Sequence, residues 1–292
     1  MFAISSISSV ESNKILLCHP QYFEVIDTKN AHMKDFVGKT DAKKAILQWE
    51  TLLTAYKHIA EEGGILEVSV LKGEKGLEDM VFAANQTFPF LDEQGNKKVV
   101  ISNMKHPNRQ KEVPFYQEFF ECKGYEILYL NKALLFEGMG DLLPVPFTKS
   151  ALCGHGFRTS LDTLNALQTL TGLEIIGLEL INPNFYHLDT CIVPLNSTTV
   201  LYTPSAFSKE GNAKIKSLFS TCIEIPLHEA SHGFALNMHV LNAVNKKWAV
   251  LQKGNVETEK ILRSLNIEPI VVDTSEYIKS GGSVFCLKMM YY

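Results

Sequence analysis

The chain has 292 residues, of which 46% are hydrophobic and 21% charged, with a formal net charge of −4. That is apolar material enough for one large domain or two small ones. Lysine and arginine never run beyond two in a row, which excludes a nucleic-acid footprint, and the absence of any apolar run of about 18 residues excludes a membrane span.

The opening stretch MFAISSISSVESNK has no basic start and no long apolar centre, so it is expected not to be a signal peptide. The six cysteines (Cys18, Cys122, Cys153, Cys191, Cys222 and Cys286) form no C-x-x-C pair. In a chain of this size that implies a reducing, cytosolic compartment. Asn85-Gln-Thr and Asn196-Ser-Thr match the glycosylation pattern, which has no consequence without secretion.

In chain order, the first clear element lies at residues 42–62. Ala45, Ile46, Trp49, Leu52, Leu53, Tyr56 and Ile59 recur at helical steps. Gly63-Gly64 ends the helix, and the β-rich run ILEVSVL follows at 65–71. The same order then repeats. EVPFYQEFFECKG precedes YEILYL, and SLDTLNALQTLTG, with Ser160 expected as N-cap, precedes LEIIGLEL. KEGNAKIKSLFST precedes CIEI, and NVETEKILRSLNI precedes EPIVVD. The five predicted strands begin at 65, 125, 173, 222 and 268, in steps of 60, 48, 49 and 46 residues. Further strand-like runs, such as VVISNM, CIVPLNSTTVLYT and HVLNAVNKKWAVL, lie between them. Each unit therefore reads as strands, helix, strand, and a regular period of this kind predicts repeated supersecondary units. No linker or low-complexity segment divides them, so a single domain over residues 1–292 is expected.

Within the fourth unit, His228-Glu229-Ala230-Ser231-His232 matches the H-E-x-x-H pattern of zinc peptidases. That chemistry needs both histidines on one face of a stable helix and a third ligand. Gly233 follows directly and costs a helix about 1 kcal/mol. The extended pattern wants Gly at 235 and His at 238, where the chain has Ala235 and Met238. Glu257 and Glu259 belong to the first turn of the fifth predicted helix. His228 and His232 are therefore read as loop or surface histidines after the fourth strand, and no metal site is expected.

Four other stretches carry the chemistry. Glu78-Asp79-Met80-Val81-Phe82-Ala83-Ala84-Asn85 places an acid and an amide in an apolar run. Phe136-Glu137-Gly138-Met139-Gly140-Asp141 sets an acid before two glycines. His187 and Asp189 stand two apart, which on a strand puts them on one face. Ser280-Gly281-Gly282-Ser283-Val284-Phe285-Cys286 leads a glycine pair into a strand with a cysteine near the C-terminus. Cys286, His187 and Glu137 make a candidate nucleophile, base and orienting group. Each falls in a strand-like segment of a different unit, so side chains from several units could converge on a central axis.

Taken in order, these motifs resemble the guanidine-modifying enzyme superfamily of pentein fold. It includes arginine deiminases, dimethylarginine dimethylaminohydrolases, amidinotransferases and arginine dihydrolases. The resemblance runs from Phe23-Glu-Val-Ile-Asp-Thr-Lys-Asn30-Ala-His-Met33, with Ala31 where the family has proline, to the strand at Cys286. It implies an α/β-propeller of five strand–strand–helix–strand modules around a pseudo-fivefold axis. It implies Cys286 as nucleophile, His187 as general acid/base and Glu137 as the carboxylate orienting it. Asp189 resembles a guanidinium-binding acid, and Asp79 the residue holding a substrate α-amino group. Asn85 falls where deiminases and dimethylaminohydrolases place an Asp. Arg109 and Arg158 resemble the arginines that grip an α-carboxylate, and Asn30 joins the substrate-binding set.

The resemblance thus implies a hydrolase of C–N bonds in linear amidines, acting on arginine or a derivative through a covalent thiouronium. No metal or organic cofactor is required, and the expected partner is a small guanidino molecule, with no nucleic acid and no membrane. Asp189 and Ala84 depart from the dimethylaminohydrolase pattern. Asn85 points towards dihydrolases, which leave an ornithine-type product. The alternatives are an amidinotransferase, passing the amidino group to an amine, or a dimethylarginine dimethylaminohydrolase. A non-catalytic pentein acting as a binding protein would be expected to lack the Cys, His and Glu set.

Overall fold

A computed structural model describes residues 12–292; residues 1–11 of the opening stretch lie outside the described residues. The first sheet joins the two ends of the chain. Its middle strand β1 (Lys14–Cys18) runs parallel to β2 (Glu67–Leu71) and antiparallel to the last strand, β15 (Lys288–Tyr291). Leu16 stands opposite Ser69 on one side and Met289 on the other.

Four further sheets repeat this plan without the chain-end closure. They are β3 (Thr87–Leu91), β4 (Lys97–Ile101) and β5 (Glu126–Tyr129); then β6 (Leu142–Pro144), β7 (Ser150–His155) and β8 (Glu174–Glu179). β9 (Ile192–Pro194), β10 (Thr199–Tyr202) and β11 (Thr221–Glu224) make the next, and β12 (His239–Asn242), β13 (Lys247–Gln252) and β14 (Ile267–Val272) the last. In each, an inner strand pairs antiparallel with the middle one, which pairs parallel with the outer one. The parallel step needs a crossover, and one helix supplies it each time. These are α1 (Ala42–Glu61), α2 (Val113–Cys122), α3 (Thr163–Thr171), α4 (Lys209–Leu218) and α5 (Val256–Ser264).

The outer strands start at 67, 126, 174, 221 and 267, within two residues of the starts predicted from periodicity. The helical apolar stripe of α1 is the buried face, with Ala45, Trp49, Leu52, Tyr56 and Ile59 against the core. Asp41 caps its start by accepting from the Lys44 amide at 3.0 Å. Ser160, in contrast, does not cap α3. That helix begins at Thr163, and the Ser160 hydroxyl is engaged with the Leu135 amide and the Thr163 hydroxyl.

All five inner strands line one axial cavity, through Phe88, Leu143, Ile192, Leu241 and Met290 among others. The cavity holds about 2140 Å³ of empty space, the open solvent at its mouth included. The five sheets are thus blades around a common axis, and sealing the first blade with β15 closes the ring. No described helix is long and apolar enough to cross a membrane.

The fold also fixes where chemistry can sit. In every module the chain leaves the outer strand and turns back to the next inner strand through a short segment. These five turns carry Asp79 and Asn85, Glu137, His187 and Asp189, Asn237, and Cys286 in succession. The site residues are therefore not on strands, as the sequence pattern implied, but on short helical turns or on the chain beside them. Glu137 precedes the turn Gly138–Asp141, and His187 precedes the 3₁₀ turn Leu188–Thr190. Tight turns re-aim consecutive side chains, which strand alternation cannot do.

Candidate active site

His187 and Glu137 form the tightest polar pair. Both are buried, and His187 Nε2 lies 2.7 Å from Glu137 Oε2. The same oxygen accepts from Arg158 Nη1 at 2.9 Å, and Oε1 accepts from the Lys105 amide at 3.0 Å. Burial alone would push the Glu137 carboxyl up, but Arg158, His187 and Arg109 together hold it well below the usual carboxylate range. An ionised carboxylate only accepts, so Nε2 carries a proton and Nδ1 is the free port of the ring. Nδ1 is buried without a partner.

Asp141, which the sequence reading left unassigned, supports this arrangement. Its Oδ1 accepts from the Leu188 amide at 3.1 Å and its Oδ2 from the Thr159 hydroxyl at 2.7 Å. It thereby ties the Glu137 turn to the His187 turn.

Cys286 is buried, and its thiol donates to Asp189 Oδ2 at 3.2 Å rather than to His187. Burial, reinforced by the Asp189 charge, pushes the thiol well above its ordinary pKa. Burial also raises Asp189 to about 7, against the lowering pull of the Cys286 thiol, Lys288 and Asn237. His187 and Asp189 thus take different partners, Glu137 and Cys286, where strand alternation predicted one shared face.

Asn237 was missed by the sequence reading. Its amide nitrogen donates to Cys286 Sγ at 3.2 Å and to the Asp189 carbonyl at 3.1 Å. Its Oδ1 accepts from the Ser283 amide at 2.9 Å and the Cys286 amide at 3.3 Å. Only its place in the fourth equivalent turn could have signalled it. Lys288 was missed too. It is buried with no hydrogen-bond partner, 3.2 Å from the centre of the Phe285 ring. Burial lowers its pKa to about 7, against the raising charges of Asp189 and Cys286.

Asn85 closes the set. Arg109 Nη1 donates to its Oδ1 at 2.9 Å. Since arginine can only donate, this fixes the amide orientation and leaves Nδ2 as the outward donor. Nδ2 is buried and unpartnered. A Cβ on Gly140 would lie 2.3 Å from that nitrogen and 3.3 Å from His187 Nδ1. Two unsatisfied polar atoms therefore face the same small space, and a glycine keeps it open.

Beside Cys286 a cavity of about 280 Å³ of empty space, open mouth included, is lined by Asn30, Asp79, Asn85, Arg109 and Arg158 as well as the cysteine. His187, Glu137 and Asp189 do not line it. Arg158 stacks on Tyr186, 4.7 Å from the ring centre, and reaches the Lys29 carbonyl at 3.1 Å. Asn30 donates to the Ser280 carbonyl at 2.9 Å. Arg109 reaches the cavity wall but carries its own counter-ion: Nε and Nη2 lie 3.2–3.3 Å from the Glu112 carboxylate. Its visible work is to hold Asn85, whereas the resemblance implied a grip on a substrate carboxylate.

The H-E-x-x-H segment has a different task. It forms the five-residue helix Leu227–Ser231, with His228 and His232 exposed. Glu229 is buried and accepts from the Glu257 amide at 2.9 Å, the Thr258 amide at 2.8 Å and the Thr258 hydroxyl at 2.6 Å. It caps the N-terminus of α5, whose first turn holds Glu257 and Glu259. Among the described residues no group of three His, Cys, Asp or Glu side chains is arranged to hold a metal ion.

Five blades around an axis, with a buried cysteine and a histidine–carboxylate pair brought in from separate blades, make the plan of the pentein fold. Residues 19–291 match the model of the family described as N,N dimethylarginine dimethylhydrolase, eukaryotic. The chain belongs to this family. It is 32% identical over 94% of its length to a bifunctional arginine dihydrolase/ornithine cyclodeaminase of Nostoc sp.. It spans 37% of that relative's length. A dimethylarginine dimethylaminohydrolase of Mycobacterium tuberculosis is 33% identical over 91% of this chain and 82% of its own length. Among solved structures, the N-terminal domain of a cyanobacterial arginine dihydrolase bound to its substrate superposes with a TM-score of 0.86 at 29% identity, covering 95% of this chain and 97% of that one.

Proposed function

We propose that this chain hydrolyses the guanidino group of arginine twice, as an arginine dihydrolase. The observation that carries the reading is the locked orientation of Asn85. With Oδ1 held by Arg109, the side chain offers an N–H beside His187. After one hydrolysis a guanidinium becomes a neutral ureido group, whose carbonyl oxygen needs a donor. An ionised Asp would only accept there; an Asn holds both groups in turn.

In this reading Cys286 attacks the guanidinium carbon. The buried thiol is reluctant to ionise, and a cationic substrate stabilises the thiolate. Asp189 accepts from the guanidinium. His187, kept in register by Glu137, takes up on Nδ1 the proton that the thiol releases, and the C–N bond breaks as it hands that proton to the leaving ammonia. Water, deprotonated at the same imidazole, adds to the thiouronium carbon, and the C–S bond breaks to regenerate the thiol. A second round on the retained ureido carbon consumes another water, so that two waters are taken up and an ornithine-type amine, carbon dioxide and two ammonia leave. Asp79, Arg158, Arg109 and Asn30 line the cavity that holds the amino-acid end. Residues 1–292 act as one catalytic domain, in the cytoplasm.

The relatives named as arginine dihydrolases support this reading, as does a solved cyanobacterial dihydrolase held covalently on a reaction intermediate. The family description favours dimethylarginine as the competing substrate, against which stand Ala84 and Asp189. The deciding experiment incubates the protein with arginine, with methylated arginines, and with arginine plus an acceptor amine. Ammonia, ureido product, ornithine and carbon dioxide are measured together. Two ammonia per arginine with ornithine is expected, and Asn85→Asp is expected to stop after one. A wild-type reaction that ends at the ureido product would leave simple deimination. Dimethylamine release alone would make it a dimethylaminohydrolase, and amidino transfer to the amine a transferase.

A further inference from the structure

Asp79 is the single carboxylate among the described residues that line the cavity beside Cys286. Any substrate that brings an ammonium group must use it, because Arg109, Arg158 and Lys29 make the rest of the charged wall cationic. Yet Asp79 is already taken. Lys29 Nζ lies 3.1 Å from its Oδ2, and the two side chains are only 6% and 4% exposed. The other oxygen, Oδ1, accepts from the Ser280 hydroxyl at 3.1 Å. The Lys29 backbone is held as well: its carbonyl accepts from Arg158 Nη2 at 3.1 Å and its amide donates to Met33 Sδ at 3.2 Å. The ammonium is thus presented to Asp79 from a fixed backbone.

We propose that Lys29 is a built-in occupant of the cavity's anionic corner, which an α-amino-acid substrate must displace and a guanidino acid lacking the ammonium need not. The inference rests on the reading that the cavity admits a guanidino substrate to Cys286. Two ammonium groups brought to one carboxylate repel each other, which favours displacement over sharing. Displacement has somewhere to go. Lys29 also pairs with Asp27, whose side chain is 54% exposed, so the released ammonium keeps a partner at the surface. Four rotatable bonds let the side chain swing without moving the backbone. Lys29 is therefore a specificity-determining residue: it sets how much binding is lost or gained by the α-amino group of the substrate.

The test uses the full chain with two compounds, L-arginine and desamino-arginine, which lacks the α-amino group. Lys29→Met keeps the length of the side chain and removes its charge. It is expected to raise the ratio of kcat/KM for arginine over desamino-arginine by roughly tenfold or more. The change should lie in KM, with kcat within about twofold, and Lys29→Arg should restore the wild-type ratio. A second measurement needs no variant. The rate at which acetic anhydride acetylates Lys29 is followed by peptide mass spectrometry. It should be slow in the free protein, rise with saturating arginine, and stay slow with desamino-arginine. An unchanged ratio, or an acetylation rate that arginine leaves unaltered, overturns the inference while the hydrolase reading stands. Turnover of neither compound overturns the hydrolase reading, and the inference with it.

Discussion

Gly140→Ala is expected to damage turnover far more than folding. Gly140 is in the helical turn that follows Glu137, with no left-handed backbone to strain, so only the added methyl matters. That methyl would stand 2.3 Å from Asn85 Nδ2, where ordinary contact begins at 3.4 Å. One of them must retreat by about 1 Å, and a misplacement of that size costs on the order of 10²-fold in rate. Asn85 cannot yield freely, because its Oδ1 is held by Arg109, itself held by Glu112. His187 cannot yield freely either, since Nε2 is 2.7 Å from Glu137. The overpacking costs about 1–3 kcal/mol of stability, tolerable for a well-folded chain. The assay is kcat at saturating arginine, with near-ultraviolet circular dichroism and a thermal melt to follow the fold. Asn85→Ala/Gly140→Ala should be no slower than Asn85→Ala alone, because removing the amide removes the clash. A folded Gly140→Ala with near-normal kcat, or penalties that simply add in the double variant, would refute the reasoning.

Glu229→Ala removes the cap of α5 and should lower stability by about 0.5–2 kcal/mol in denaturant melts, while His228→Ala/His232→Ala changes neither stability nor turnover; loss of activity in the histidine pair would revive the metal reading. Because Asp189 titrates near 7 and must be ionised to accept a guanidinium, kcat/KM should rise with pH through about 7. Lys288→Met removes a positive charge that favours the carboxylate, so this acidic limb should move to higher pH; the same limb in both proteins would exclude the coupling. Asp189 faces Cys286, Lys288 and Asn237, and Lys288 faces His239 as well, so histidine controls belong in the profile. The sign for stability is the reverse of a salt-bridged acid. The folded carboxyl keeps its proton to a higher pH than the unfolded one, so the Asp189 contribution falls as pH rises from about 4 to 7.

The five-module plan was readable from local patterns alone. Helical stripes and strand runs are local patterns, and their repetition at 46–60 residues placed every outer strand within two residues of its observed start. Cys286, His187, Glu137, Asp189, Asp79, Asn85, Arg109 and Arg158 were expected from the motif order, and the structure buries every one of them. The local geometry was not legible. Alternation along a strand is the simplest reading of His187 and Asp189, but the segment is a 3₁₀ turn and its side chains part company. The metal reading of H-E-x-x-H was set aside from the sequence, but the capping role of Glu229 was not legible, because it depends on α5, whose first turn lies 28 residues further along the chain. Asn237 had no signal but its place in the fourth equivalent turn, and Lys288 and the Lys29–Asp79 pairing had none. An asparagine or a lysine is usually a surface residue, and what these side chains do is set by which groups five separate blades bring against them. Hydrophobic periodicity reports which face of an element is buried. Only the closed ring decides which buried polar groups meet, because those contacts join residues tens to hundreds of positions apart.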